Sequence, residues 1–457
     1  MFESVTGTIA SSMIKEASMK RRGIVALLGF TTIVLSACGG GGKTDRAQTV
    51  DAGRADVKKD PITLSVFGLG VKEEEFNDRF KGVLEKKFPY ITFQYVSPDK
   101  GNSLPELVAR GEIPDLIRTD VPNLKNNYLD LKLGTDLNEL VKKYNYDLTR
   151  FNAPFIQEMI DAGQSGALYG LPYPPYFPLV LTYNKDIFDK FGVPYPKDGM
   201  NWDDVYEIAK KLSRTEGTNV YRGFSGNIMA MLRDNTYGYP ILDPNADRLY
   251  NMEKWKPLFN NLKRFYDLPN NPIAATRPAE INDAFNKGNV AMQANQYSQY
   301  APIPKEIEWD IVTYPTLKDV PKKMAWRGPA YWSISATSKY KDDAFQVIMA
   351  MVSDEVQLTD SKKGMLPVVT NKSIQDAFGQ DRPDLSSKNM KALFYYQEWA
   401  PYSPKRKEGL ANVATANQQN MMAQTFHDVA SNKVDVNTGL RLLDEQLKAE
   451  LAKEKSK

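Results

Sequence analysis

The sequence predicts an α/β fold built on a parallel sheet with helices on both faces. Two observations carry this. Short apolar, β-branched runs alternate with segments of helical period, so that strand, helix, strand, helix, strand follow one another within about 60 residues. No repeat of about 20–50 residues is visible, which sets aside solenoids and propellers. A chain of 457 residues has room for two or three domains of about 100–200 residues each.

In chain order, the amino terminus comes first. Met19-Lys20-Arg21-Arg22 is basic, Gly23 to Ala37 is uncharged and apolar, and Cys38 opens a run of glycines. A basic stretch, an apolar stretch and small residues before a cut describe a secretory signal. The apolar run is short for a membrane span of about 20 residues. Leu35-Ser36-Ala37-Cys38 resembles the lipobox of bacterial lipoproteins, which implies a signal peptide over 1–37 and a lipidated Cys38. Translation is expected to start at Met1, Met13 or Met19. Residues 38–60 are polar, glycine-led and without apolar period, as a flexible tether would be.

The body begins at residue 61. Ile62 to Gly68 reads as a buried first strand. Glu73 to Lys87 carries Phe76, Phe80 and Leu84 at helical spacing, and Pro89 precedes a second strand over Ile91 to Val96. Ser103 to Arg110 is a short helix stopped by Gly111, and Pro114 to Ile117 leads into a third strand. Asn201 caps a helix from Trp202 to Leu212, with Val205, Ile208, Ala209 and Leu212 on one face and Asp203 and Asp204 at its positive end. Gly288 ends a helix in the left-handed conformation, and Val290 to Ala294 runs on as a strand. Trp309 precedes a strand over Asp310 to Thr313; it and Trp202 are assigned to packing. Leu440, Leu443, Leu447 and Leu451 mark a last helix.

Composition narrows the function. Fifty-nine basic and 56 acidic residues give a net charge of +3, which offers no footprint for nucleic acid. One cysteine forbids an intramolecular disulfide, and one histidine with it excludes Cys/His zinc sites. No contiguous Asp-x-Asx-x-Asx-Gly calcium loop occurs, and no cofactor is expected. With 24 tyrosines and 28 prolines, the surface suits flat or amphipathic ligands.

Five blocks then resemble the extracellular solute-binding proteins of ABC importers, family 1, the group related to maltose-binding protein. They are the lipobox and tether; Leu168 to Tyr173 with Leu181 to Phe188, then Gly192-Val193-Pro194 and Asn201-Trp202; Phe285 to Met292; Gly328 to Ser335 with Ser338-Lys339 and Ala344-Phe345; and Gly364 to Val368. Their order and spacing cover most of residues 62 to 370, and the long carboxy-terminal part is most similar to lipoproteins of Gram-positive bacteria. The resemblance implies a two-lobed periplasmic-binding-protein-like fold of type II, with the chain crossing between lobes three times. The crossings are expected near Leu171 to Pro175, Tyr314 to Thr316 and Leu366 to Val368. One lobe would be 61–170 plus 317–365, the other 171–316 plus 366–457. It also implies a monomeric, membrane-anchored extracellular receptor that closes on solute by a hinge, presents it to permease subunits, and is not an enzyme.

Family members mostly bind oligosaccharides or sugar derivatives. Aromatic rings cover the C–H face of a sugar, and carboxylates, amides and Arg bind its hydroxyls. Ligands in open α/β sheets lie at the carboxyl ends of strands, which points to Gly68, Arg118, Asp120, Arg327 and Trp332. Tyr173 and Tyr176 lie beside the first crossing, Asn295 and Tyr297 just past a strand, and Tyr396 and Trp399 in a dense aromatic group with Tyr395 and Tyr402. By analogy, Tyr297 falls near a stacking aromatic, and Arg118 to Asp120 near a first-lobe polar group. Arg118 and Arg327 leave an anionic sugar open. The competing readings are the same fold with a non-sugar solute such as a peptide, and an exported glycan-degrading enzyme. The second needs only two carboxyls about 5–5.5 Å apart. It has no motif in its support: G-x-S-x-G is absent, and His427 reads as a histidine on a helix surface.

Overall fold

Twelve short strands among the described residues position the site. The computed structural model describes residues 59–456 apart from 299–302, 319, 402, 403, 405 and 408. The signal, Cys38 and most of the tether lie outside the described residues, as does Tyr402. In chain order the strands are β1 (Ile62–Phe67), β2 (Ile91–Val96), β3 (Leu116–Thr119), β4 (Leu171–Tyr173), β5 (Phe177–Asn184), β6 (Arg214–Glu216), β7 (Asn219–Tyr221), β8 (Ser225–Gly226), β9 (Met292–Gln296), β10 (Trp309–Thr313), β11 (Trp326–Arg327) and β12 (Ala330–Ile334).

They form two five-stranded sheets and a hairpin. The first sheet has the order β2-β1-β3-β12-β4. Its β1 is parallel to β2 and β3, as the alternating sequence predicts, with Leu64 opposite Phe93 and Val66 opposite Leu116. β12 is antiparallel to both β3 and β4, so the sheet is mixed rather than all parallel. The physical reason is that β12 enters this sheet from the other one and runs back along it. The second sheet, β10-β5-β9-β8 with β11 on β5, is largely antiparallel, and only β8 and β9 in it are parallel. β6 and β7 pair as a separate hairpin.

Local signals explain the helices. The helix Leu104–Arg110 starts on a capping box between Ser103 and Glu106, and ends at Gly111 with φ +72°. The side chain of Asn201 accepts from the backbone N–H of Asp203 and Asp204, at 2.8 and 3.1 Å, and starts Trp202–Leu212. That helix buries Trp202, Val205, Ala209 and Leu212, while Ile208 is half-buried. Val436–Lys455 buries Leu440, Leu443, Leu447 and Leu451, so the leucine period is the packing face. Gly288 has φ +76°, where an L side chain would be strained.

Each sheet carries its own core. Leu64, Val66, Ile117, Trp332 and Ile334 belong to the first; Leu181, Trp202, Phe259, Phe265 and Leu440 belong to the second. The chain passes between the two bodies at Pro174 to Tyr176, which joins β4 to β5. It returns at Gly328 and Pro329, between β11 and β12. The sequence placed this second passage at Tyr314 to Thr316. The chain stays with the second sheet as far as Arg327, because β11 pairs with Phe177 and Pro178 of β5 and Trp326 Nε1 donates to Ala400 O at 2.9 Å. The third passage also comes later than Leu366 to Val368, since Leu366, Val368 and Val369 pack in the first core. The chain is tied back to the second sheet by Lys388, whose Nζ lies 5.1 Å from the ring centroid of Trp309, and by Asn389, which donates to Ile311 O at 3.2 Å and to Asp198 at 2.8 Å.

One buried ion pair braces the first passage. Arg79 donates through Nη2 to Asp360 at 2.7 Å and to Pro174 O at 3.0 Å. His427 corrects another expectation: it is 4% exposed, not on a helix surface. Its Nε2 lies 2.9 Å from Ala274 O, because the 274 segment covers that face of the helix Thr415–Ala430.

Candidate functional site

A cavity of about 240 Å³ opens between the two bodies. The first body supplies Asp120, directly after β3, and Glu158 and Ala162 from the helix Ala153–Gly163. The second supplies Arg233, Asp234 and Asn235 at the end of the helix Ile228–Arg233, the loop 238–242, and Thr415, Gln418 and Gln419 from the start of Thr415–Ala430. β11 and the second passage after it, Trp326 to Pro329, cross the cavity wall.

Charged groups converge there. Arg233 donates through Nε and Nη2 to both carboxylate oxygens of Asp234, each at 2.5 Å, a bidentate pair that holds both groups at a fixed angle. Gln296, at the end of β9, donates to the same carboxylate at 3.2 Å. Burial raises the Asp234 carboxyl above its usual range, and Arg233 works against that shift. Arg327 Nη2 faces Asp120 Oδ2 at 3.6 Å, an ion pair longer than a hydrogen bond. Asp120 is oriented by Asn123, whose backbone N–H and side-chain amide donate to it at 3.0 and 2.7 Å. Burial, then Arg233, pull the Arg327 guanidinium below its usual value.

Glu158 differs from these. Its Oε2 is buried and has no hydrogen-bond partner. Burial pushes its carboxyl up to about 8, with Asp234 adding to the shift and Arg327 opposing it. It seats against Gly328, where an added Cβ would stand 2.0 Å from Oε2. Only a glycine leaves room for the carboxyl at this point of the passage.

Of the residues that the sequence nominated, Asp120 and Arg327 line this cavity. The others do not line it. Trp332 is fully buried between Phe76 and Phe80, with ring centroids at 6.2 and 6.3 Å, and is a core residue. Tyr173 packs on it with rings tilted by 35° and centroids 5.4 Å apart, and accepts from Arg118 Nε at 2.6 Å, so both belong to the first sheet's packing. Gly68 is covered by Tyr95, whose Oη would lie 2.1 Å from an added Cβ. Tyr176 and Trp399 pack on each other and on Phe155, at 5.1 to 5.4 Å, beneath the cavity floor formed by Trp326. Tyr297 is buried against Phe378, and Tyr396 reaches Thr313 at 3.3 Å. Asn295 accepts from Asn227 at 3.0 Å.

Sequence reasoning missed Glu158, Arg233, Asp234, Gln418, Gln419 and Tyr239. It searched the ends of strands, and these residues sit on helices or in the loop after one. The signal available was Arg233-Asp234-Asn235, three polar residues ending an apolar helix. Among the described residues no cluster of His, Cys, Asp and Glu could hold a metal, and no helix is long and apolar enough to cross a membrane.

Comparison with known proteins follows the same outline. The family model described as bacterial extracellular solute-binding protein matches residues 80–387. No curated protein sequence matches the chain. A sugar transporter protein from Rhizobium etli in an open conformation superposes with a TM-score of 0.65 at 19% identity, over 85% of this chain and 99% of that one. An ABC substrate-binding protein from Listeria monocytogenes in complex with cycloalternan gives 0.65 at 20%, over 86% and 99%. UgpB from Mycobacterium tuberculosis in complex with glycerophosphocholine gives 0.65 at 17%, over 86% and 99%. At these identities the structures show a shared two-lobed α/β fold.

Proposed function

This chain belongs to the bacterial extracellular solute-binding proteins, and from that premise we propose that it is the solute receptor of an ABC importer, capturing an oligosaccharide or sugar derivative between its lobes. The observation that carries this reading is the cavity, which draws carboxylates, guanidiniums and amides from both bodies onto one space. Such groups bind sugar hydroxyls in pairs, and Trp326 and Tyr239 bring aromatic rings to the same lining. Because the lining residues come from both sides of the passages, bound solute adds contacts that favour closure. The closed form would then be the one that permease subunits recognise. The Listeria protein's cycloalternan complex supports a sugar as the solute class.

The protein reads as a monomer anchored through a lipid on Cys38 to the outer face of a bacterial cell membrane, of Gram-positive type. The apolar run before Cys38 and the small residues at the cut support this. A Cys38→Ala variant is expected to lose lipid label, and label that persists would overturn the anchor. The solute is tested by a thermal-shift screen of the full chain against oligosaccharides, peptides and polyamines. A ligand at 100 times its Kd adds about 2.7 kcal/mol of stability. An oligosaccharide that stabilises the protein and is recovered intact supports the receptor. Recovery of cleaved sugar would move the account to an enzyme, and a peptide or polyamine hit would replace the sugar.

A further inference from the structure

The cleft contains one acid without a counterpart. Asp234 is taken up by Arg233, and Asp120 faces Arg327. Glu158 Oε2 is buried at the same wall with no donor on it. Five ionisable groups surround it: Asp120 after β3, Arg233 and Asp234 at a helix end of the other body, Arg327 of β11, and Tyr331 of β12. Tyr331 spends its own hydroxyl proton on Phe155 O, at 2.8 Å. The four charged groups nearest it are two carboxylates and two guanidiniums, which leave no net positive charge beside Glu158 to hold it as an anion.

We propose that Glu158 is a specificity-determining residue that meets the solute as an uncharged carboxylic acid, and that the cleft therefore selects a neutral, hydroxyl-rich solute over both uronate and amine-bearing glycans. This rests on the reading of the cleft as a sugar site. Glu158 Oε2 is closed off in the wall against Gly328, so the carboxyl's other oxygen is the one that meets a sugar hydroxyl at the cavity, and a proton on the acid spares the wall a buried, unpaired charge. A solute carboxylate at this wall would face Asp120 and Asp234, and would have to compete with them for Arg327 and Arg233. A solute ammonium would face Arg233 and Arg327, and would have to displace the proton of Glu158. The upward push on the Glu158 carboxyl from burial agrees with the uncharged form at neutral pH. Gly328 belongs to the same device, since any Cβ there would drive the carboxyl out of the wall.

The test is calorimetric titration of the full chain, from pH 6 to pH 10, with three probe sets: neutral malto- and manno-oligosaccharides, oligogalacturonates, and chitosan oligomers. The tightest probe is expected to be neutral, with affinity falling by up to about tenfold per pH unit above about 8. Glu158→Gln keeps a donor and an acceptor; it is expected to hold affinity within a few-fold and to flatten the pH profile. Glu158→Ala is expected to lose at least about tenfold, a single hydrogen-bonding group's share. Tighter binding of a charged sugar overturns the inference and leaves the carbohydrate receptor standing. So does a flat profile in the wild type, or a slope that survives in Glu158→Gln. Binding by none of the sugars overturns both. Melting curves of the variants separate lost binding from lost fold.

Discussion

Replacing Gly328 by alanine probes the second passage and the cleft at once. The new Cβ would stand 2.0 Å from Glu158 Oε2, 2.7 Å from its Cδ and 2.8 Å from Oε1. Ordinary contact lies near 3.5 Å, so the carboxyl must retreat by about 1.5 Å or the passage must shift. Neither body gives way easily, because β11 is held by β5 on one side and β12 by β3 and β4 on the other. Overpacking of this kind costs about 1–3 kcal/mol. The assay is urea unfolding of four proteins: wild type, Gly328→Ala, Glu158→Ala and the double variant. The cost of Gly328→Ala is expected to fall to near zero in the Glu158→Ala background, a coupling of about 1–3 kcal/mol with unchanged m values. Costs that add to within about 0.5 kcal/mol would refute the contact.

Three further outcomes follow from the same geometry. The folded Glu158 carboxyl, at about 8, lies above its ordinary 4.5, so its stabilising contribution is fully present below about pH 4.5 and is lost as pH rises through about 8. At about 1.4 kcal/mol per pH unit the loss reaches at most about 5 kcal/mol; unfolding of wild type and Glu158→Gln at pH 5 and pH 9 measures it as their difference. Trp332→Ala is expected to cost about 3–5 kcal/mol of stability, because the ring is core, while solute affinity at a temperature where the variant is folded stays unchanged. Arg79→Met leaves Asp360 buried without its guanidinium and is expected to cost about 3–5 kcal/mol, much of it recovered by adding Asp360→Leu; equal stability of both variants would remove the brace.

The elements that pack on themselves were legible from the chain. Asn201 and the spacing from Trp202 to Leu212 define a helix without outside help, and so do the leucines at 440, 443, 447 and 451. The first strand reads correctly because Leu64 and Val66 alternate into the core between Thr63 and Ser65, with buried Phe67 at its end. The β12 direction was hidden, since nothing local records that this strand arrives from another sheet. The site was hidden for a related reason. Aromatics such as Trp332 and Tyr297 carry equal signals for packing and for stacking on a sugar, and here packing claims them. Asp120 and Arg327 were found because each sits at a strand end. Glu158 lies on a helix whose sequence pattern shows only an apolar stripe and a polar face, and its importance comes from Gly328, 170 residues away in sequence and in contact with it.

The central claim is that solute binds in the cavity between the two bodies. A bulky substitution inside it tests this most directly. Thr415 is half-buried at the cavity wall, so Thr415→Trp places a ring in the space of about 240 Å³ without opening either core. Calorimetric titration of the full chain with neutral oligosaccharides is expected to give saturable one-site binding in the wild type and none in Thr415→Trp, with melting temperatures alike. Undiminished binding in a folded Thr415→Trp would contradict the account, because the solute would then lie elsewhere.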